Sequence, residues 1–311
     1  MKYIGIDQQI RKNNLNSIFL LIAFPVLLLA MIYALIFFIG DRDVYQANHF
    51  FIPAAPVVLI GVGIWFLIAW AGHNTFIRWA TGAKPLERMA NKRVYNLVEN
   101  LCIQEGMTMP KVFVIEDDSL NAFASGINKN SFSLSLSRGI INKLNDEELE
   151  GVIAHELTHI KNRDVRLLVV SIIFVGIFSF LAEMAFRSLR FIGSGKKDKD
   201  SKGSGTIILI AIVITAVAYL LSLLLRFGIS RKREYLADAG AAEMTKKPYA
   251  LASALKKISV DPFIEAVESR DVAQLFIGNP TPSAHKSASW DNMFATHPPI
   301  EKRIELLEQF I

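Results

Sequence analysis

The 311-residue chain is 52% hydrophobic with a positive mean hydropathy, too apolar for an ordinary soluble domain and too short for a large transporter. A net charge of +5 with a pI near 9.2 would suit a nucleic-acid binder, but the basic residues flank apolar stretches and form no stripe interleaved with aromatics. They read as anchors at a membrane surface, with no nucleic-acid partner. The single Cys102 rules out an internal disulfide and any zinc site of several thiolates, and reads as a small buried hydrophobe.

In chain order, residues 17 to 39 and 50 to 71 are uncharged and long enough to cross a hydrocarbon core of about 30 Å at about 1.5 Å per residue. The first is too long for the apolar core of a signal peptide and has no small-residue cleavage site after it, so it reads as a retained anchor. Leu86, Met89, Val94, Leu97, Val98 and Leu101 then recur at helical spacing, and KVFVIE from Lys111 reads as a strand. NAFASG (Asn121 to Gly126) and the alternating SFSLSLS (Ser131 to Ser137) flank Asn128, Lys129 and Asn130, which is hairpin chemistry. Asn145 with Glu148 three residues on makes a capping-box start for the next helix. Residues 167 to 186 and 206 to 225 again have spanning length, although Glu183 lies near the end of the first. Between them, GSGKKDKDSKGSG reads as a solvated linker. The expected architecture is an α-helical membrane protein with about four transmembrane helices and an α+β domain made of the polar segments. Residues 1–72 form a two-span anchor, 73–166 and 226–311 the two parts of the α+β domain, and 167–225 the second pair of membrane segments.

The chemistry lies on the helix that begins at Asn145. GVIAHELTHIKNRD carries HExxH, and a spacing of four puts His155 and His159 on one helical face, so that two imidazoles converge as zinc ligands. Glu156, beside the first ligand, is placed to take a proton from a water whose pKa zinc lowers towards about 7, and is the candidate general base. A third protein ligand must come from elsewhere. The extended motif with a third histidine fails, because its turning glycine and histidine positions hold Asn162 and Val165. Downstream, SRKREYLAD offers Glu234 and Asp238 at a spacing of four, so that one carboxylate can bind metal while the other accepts an N–H from a ligating imidazole. The competing reading of that segment is an exposed acidic helix face.

With these residues in order, the chain resembles the HtpX-type membrane zinc metalloproteases, relatives of the CAAX prenyl proteases. The likeness rests on NAFASG at Asn121, HELTH at His155, SRKREYLAD at Ser230, FIGNP at Phe276 and THPPIEKRI at Thr296, and covers nearly the whole length. It implies that the α+β domain is a zincin-like peptidase domain, with one Zn2+ per chain held by His155, His159 and Glu234 and Asp238 behind them. It also implies that the strand of Asn121, Ala122 and Phe123 is an edge along which an extended polypeptide pairs. His297 and Arg303 are candidates to stabilise the oxyanion of peptide hydrolysis. The alternative, in which Thr296 to Pro299 caps the last helix and Arg303 sits in a structural ion pair, stays open. The implied activity is endoproteolysis of misfolded or damaged membrane proteins as stress-response quality control at the cell (inner or plasma) membrane, alongside other quality-control proteases. A CAAX-type processing protease and an inactive membrane scaffold are the competing functions. Sidedness is read from Lys2, Arg11 and Lys12, which precede the first span, against Arg42 alone in the loop after it. That difference puts the N-terminus and the catalytic domain on the cytoplasmic side, although the Lys- and Arg-rich loop at 187–205 runs against the same rule.

Overall fold

The computed structural model describes residues 6–39, 42–174, 176–177, 180, 212, 215–216, 231–260, 276–277 and 298–310. The expected spans at 167–186 and 206–225 lie outside the described residues apart from a helical stretch through 174 and a few single positions, as do the linker between them, His297 and most of the FIGNP and THPP motifs.

The chain divides into two compact units. One comprises Met1–Asn16, Gly72–Val169 and Ile229–Ile311, the other Ser17–Ala71 and Val170–Gly228. The second unit is built on α1 (Ile6–Ile39) and α2 (Val44–Thr81), both long and apolar enough to cross a membrane. Val57, Ile60 and Leu67 of α2 are exposed, a pattern that water penalises and lipid does not. Prolines 25, 53 and 56 lie inside these helices. Within this unit Phe174 stacks on Phe24 of α1 at 4.9 Å and on Phe66 of α2 at 5.5 Å. Both helices run past their apolar cores, and their polar ends, Ile6–Asn16 and Gly72–Thr81, belong to the first unit. His73 is buried in that end of α2.

The first unit holds a four-stranded sheet in the order β1-β2-β4-β3, from β1 (Lys84–Pro85), β2 (Lys111–Ile115), β3 (Ala122–Ser125) and β4 (Ser133–Ser137). The hairpin expected about Asn128 is present, with β3 antiparallel to β4, while β2 and β4 run parallel. The serines of β4 are buried along with its leucines, and Ser133 and Ser125 bond through their hydroxyls at 2.8 Å. The helix expected from Leu86 begins only at Lys92 (α3, Lys92–Gln104), because the Asn91 side chain caps it by accepting from the Val94 N–H. Leu86 and Met89 fall before it, and the Leu86 N–H is spent on the carbonyl of Val112.

After a short α4 (Arg138–Lys143) comes α5 (Asp146–Lys161). Its capping box is formed as the sequence indicates, with the Asn145 side chain on the Glu148 N–H and the Glu148 carboxylate on the Asn145 N–H. Acidic residues fill its first turn, and His159 and Lys161 its last, in keeping with the helix dipole. α5 packs between β3 on one side and α6 (Arg231–Thr245) and α7 (Pro248–Ile258) on the other. The last helix, α8 (Ile300–Glu308), packs on α6 and α7.

Candidate metal centre

Two glycines let the helices approach closely enough to build the site. A Cβ on Gly151 of α5 would meet the Leu251 backbone of α7 at 3.2 Å, and one on Gly240 of α6 would meet Thr158 Cγ2 of α5 at 2.5 Å. With α6 drawn this close, the carboxylates of Glu234 and Asp238, one helical turn apart, reach the histidines of α5.

His155, His159 and Glu234 each present a ligand atom, all within 4.8 Å of one another. The two Nε2 atoms are 3.2 Å apart, and the Glu234 carboxylate oxygens lie 3.4 Å from His159 Nε2 and 3.7 Å from His155 Nε2. Bonds of about 2.0–2.1 Å to a tetrahedral ion would separate ligand atoms by about 3.3–3.5 Å. The residues therefore fit a single ion with two nitrogens and a carboxylate oxygen, and one corner left for a reactant.

Behind each imidazole stands a carboxylate. Asp238 Oδ1 is 3.0 Å from His155 Nδ1, and Asp164 Oδ2 is 3.0 Å from His159 Nδ1. A carboxylate only accepts, so each Nδ1 carries the proton and each Nε2 turns its lone pair inward. Arg303 grips Asp238 in a two-pronged ion pair, Nε to Oδ2 at 2.8 Å and Nη2 to Oδ1 at 2.7 Å. Burial favours the neutral acid, but the Arg303 charge and its hydrogen bonds, with help from His155, outweigh it and hold Asp238 down to about 2. Taken as protein groups alone, the histidines show the converse: burial lowers the pKa of each, yet their carboxylate partners raise His155 above its usual value and His159 to about 10. A donor set so strongly biased towards positive charge is what a divalent cation would satisfy.

Glu156 is buried on the same helix. Burial raises its pKa, against the charges of His155 and His159 and with that of Glu234, and the backbone of Ala124 in β3 hydrogen-bonds to its carboxylate. It thus neighbours both the metal group and β3, the end strand of the sheet.

That edge is partly occupied. The Ile277 N–H donates to the Ala122 carbonyl at 2.9 Å, Phe276 bridges to Phe123, and the two rings meet edge to face at 4.7 Å. Asn121 is buried, with its carbonyl accepting from the Ser137 N–H. Of the residues expected to meet an extended substrate, Ala122 and Phe123 are thus paired by the chain itself, while Ala124 faces Glu156. Arg303 is 1% exposed and committed to Asp238, the ion-pair alternative, with its Nη2 also 3.4 Å from His155 Nε2. His297 lies outside the described residues.

The sequence reading missed Asp164. α5 ends at Lys161, and Arg163 takes a left-handed backbone (φ 63°) that turns the chain, bringing Asp164 back onto His159. No glycine marks this turn. The available signal was a carboxylate five residues after the second histidine.

These features define a single-metal peptidase site: a helix-borne histidine pair and glutamate from a second helix, with a buried carboxylate beside them and a sheet edge within reach. Residues 88–311 match peptidase family M48. A protein of Bacteroides fragilis (strain YCH46) named Protease HtpX homolog is 55% identical over 323 aligned residues, covering 100% of both chains. One of the same name from Ligilactobacillus salivarius (strain UCC118) is 34% identical, covering 97% of this chain and 98% of that one. The crystal structure of S. mikatae Ste24p aligns with a TM-score of 0.48 at 20% identity, over 90% of this chain and 61% of that one. The chain belongs to peptidase family M48, as a metallopeptidase of the HtpX type.

Proposed function

We propose that the protein is a zinc-dependent endopeptidase anchored in the membrane, acting on membrane proteins that are misfolded or damaged. The observation that carries the chemistry is the convergence of His155, His159 and Glu234, with the buried Glu156 on the same helix as both histidines. Two nitrogens and a carboxylate are a ligand set typical of catalytic zinc. Zinc bound there supplies Lewis acidity, polarising a carbonyl and acidifying water. Glu156 takes the proton as the attacking water loses it and hands it to the leaving amine, a role helped by burial that keeps its pKa above the ordinary carboxylate range. Asp238 and Asp164 hold the imidazole tautomers that keep both Nε2 atoms available. The substrate main chain adds along the edge of β3, where backbone pairing accepts many sequences, as a quality-control protease requires.

Support for this substrate preference comes from the exposed apolar faces of α1 and α2, which suit a lipid surrounding shared with other membrane-inserted chains. The catalytic unit faces the cytoplasm on the charge count of Lys2, Arg11 and Lys12 against Arg42. Lys129, at the exposed hairpin tip, reports on this: Lys129→Cys in intact cells is expected to resist an impermeant thiol reagent, and labelling would reverse the orientation. The test of the chemistry is Glu156→Gln, which keeps shape but loses the base. It is expected to bind zinc one to one and to lose casein and membrane-protein cleavage by about 100-fold or more. Wild-type turnover with full zinc in this variant would sink the mechanism.

A further inference from the structure

We infer that Asn13, in the polar first turns of α1, is a positioning residue for the metal centre, acting through Asp164 on His159; this rests on the zinc reading of the site. Asn13 lies more than 140 residues before His159, yet it is 2% exposed and its Nδ2 donates at 2.6 Å to Asp164 Oδ1 and at 2.8 Å to the carbonyl of Asn162. One amide group therefore clamps both the last turn of α5 and the carboxylate behind the second ligand.

The two oxygens of Asp164 divide their work. Oδ2 takes the His159 Nδ1 proton, and Oδ1 faces Asn13 and, at a longer 3.6 Å, Arg233. A carboxylate with a short donor on only one oxygen can rotate about its Cβ–Cγ bond. The Asn13 amide fixes the other, and with it the plane that sets the His159 ring. Asn162 and Arg163 form the turn that delivers Asp164, so tying the Asn162 carbonyl also fixes the turn. The next residue, Asn14, provides an internal control. Its side chain meets Arg166 at 3.2 Å and has no route of this kind to His159.

The chemistry explains why this position carries an amide. A leucine here would leave a buried Asp164 oxygen and a buried carbonyl short of a donor, and an aspartate would set two carboxylates together. The helix that leads into the first membrane span thereby contributes to the hydrolytic site through its polar end.

The experiment measures zinc Kd by chelator competition on the full-length, detergent-purified chain, with far-UV circular dichroism confirming the fold of each zinc-free variant. Asn13→Ala is expected to weaken zinc by about 3- to 10-fold, at the low end of what loss of a ligand's supporting partner costs. Asn14→Ala is expected to leave it unchanged. Asn13→Ser, which keeps a donor on a shorter stem, should show a smaller loss, and provides the same readout if the alanine variant does not fold. In an Asp164→Ala background the Asn13→Ala loss should vanish, since the intermediary is gone. Zinc affinity unchanged by Asn13→Ala, or an equal loss with and without Asp164, overturns the inference. A wild-type chain that binds no zinc would instead overturn the metal reading on which it rests.

Discussion

The two histidines lie one turn apart on one helix and each has its Nδ1 on a buried carboxylate, but the carboxylates are secured by different physics. Asp238, behind His155, is neutralised by a fully buried guanidinium through two short bonds. Asp164, behind His159, is held by a neutral amide, with Arg233 at 3.6 Å. The His159 side chain is also more exposed, 13% against 1%. One ligand is therefore locked by a short two-pronged ion pair, and the other by a polar clamp at a chain turn with a longer, single ion contact from Arg233 beside it. Buried ion pairs gain little net stability when intact, yet breaking one leaves an uncompensated charge. The His155 side should thus govern whether the fold survives, and the His159 side should chiefly adjust the metal.

The largest effect that could break this contrast is on stability. Arg303→Met strips the buried Asp238 of its counter-charge and is expected to destabilise the protein by about 3–5 kcal/mol in denaturant titration. A loss below about 1 kcal/mol would mean that the pair is not the lock described. Next comes metal affinity: Asp238→Ala and Asp164→Ala should each weaken zinc by about 10- to 100-fold. Asp238→Ala belongs at the upper end, because it leaves the Arg303 guanidinium 3.4 Å from His155 Nε2 with the metal ligand Glu234, at 3.5 Å, as its ion-pair partner. Equal losses in a chelator competition would erase the distinction.

How much of this the sequence declares follows the same division. His155, Glu156, His159, Glu234 and Asp238 were legible because helical spacing is a local rule: residues four apart share a face wherever the helix lies. The capping box at Asn145 and the hairpin about Asn128 were legible for the same reason. Asp164 and Asn13 were not, since their meeting depends on a left-handed Arg163 and on the helix before the first span returning to the peptidase unit. The pairing of Phe276–Ile277 with β3 was equally hidden, because a single bridge leaves no alternation to read. Leu86 and Met89 show the opposite failure. Their spacing suits a helix, but backbone pairing with β2 and the Asn91 cap fixed the start further on.

A smaller effect tests the approach of α6, which carries Glu234 and Asp238. Gly240→Ala drives a methyl against Thr158 Cγ2, where only 2.5 Å is available, and should cost about 1–3 kcal/mol of stability. Adding Thr158→Ser removes the obstructing methyl and should recover most of that loss. Failure of the rescue in thermal or chemical melts would place the strain elsewhere.

The smallest expected effect lies at the far end of α5 and serves as the control for both histidines. Glu148 is 4% exposed; its carboxylate caps the Asn145 N–H, accepts from Ser253 Oγ at 2.7 Å and pairs with Lys257 Nζ at 2.7 Å. Burial pushes its pKa up, but the Lys257 hydrogen bond, the Asn145 N–H and the Ser253 hydroxyl together outweigh it, and the net shift is downward. A carboxylate depressed on folding binds its proton more readily in the unfolded chain. Its contribution is therefore complete above the unfolded pKa of about 4.3 and is lost as pH falls through the lower folded value. Glu148→Gln should cost about 1–2 kcal/mol at pH 7, in the lower part of the range for hydrogen bonds to a charged group because the Lys257 end is partly solvated. The difference from the wild type should shrink in melts as pH falls below about 4.3 and vanish only below the lower folded pKa, where both proteins carry a neutral side chain. Zinc Kd at pH 7 should move by less than about twofold, since the box secures the start of the helix and each histidine takes its orientation from its own aspartate. A tenfold change in zinc affinity on Glu148→Gln would show that the helix as a whole sets the ligands, and the contrast between Asp238 and Asp164 would lose its basis.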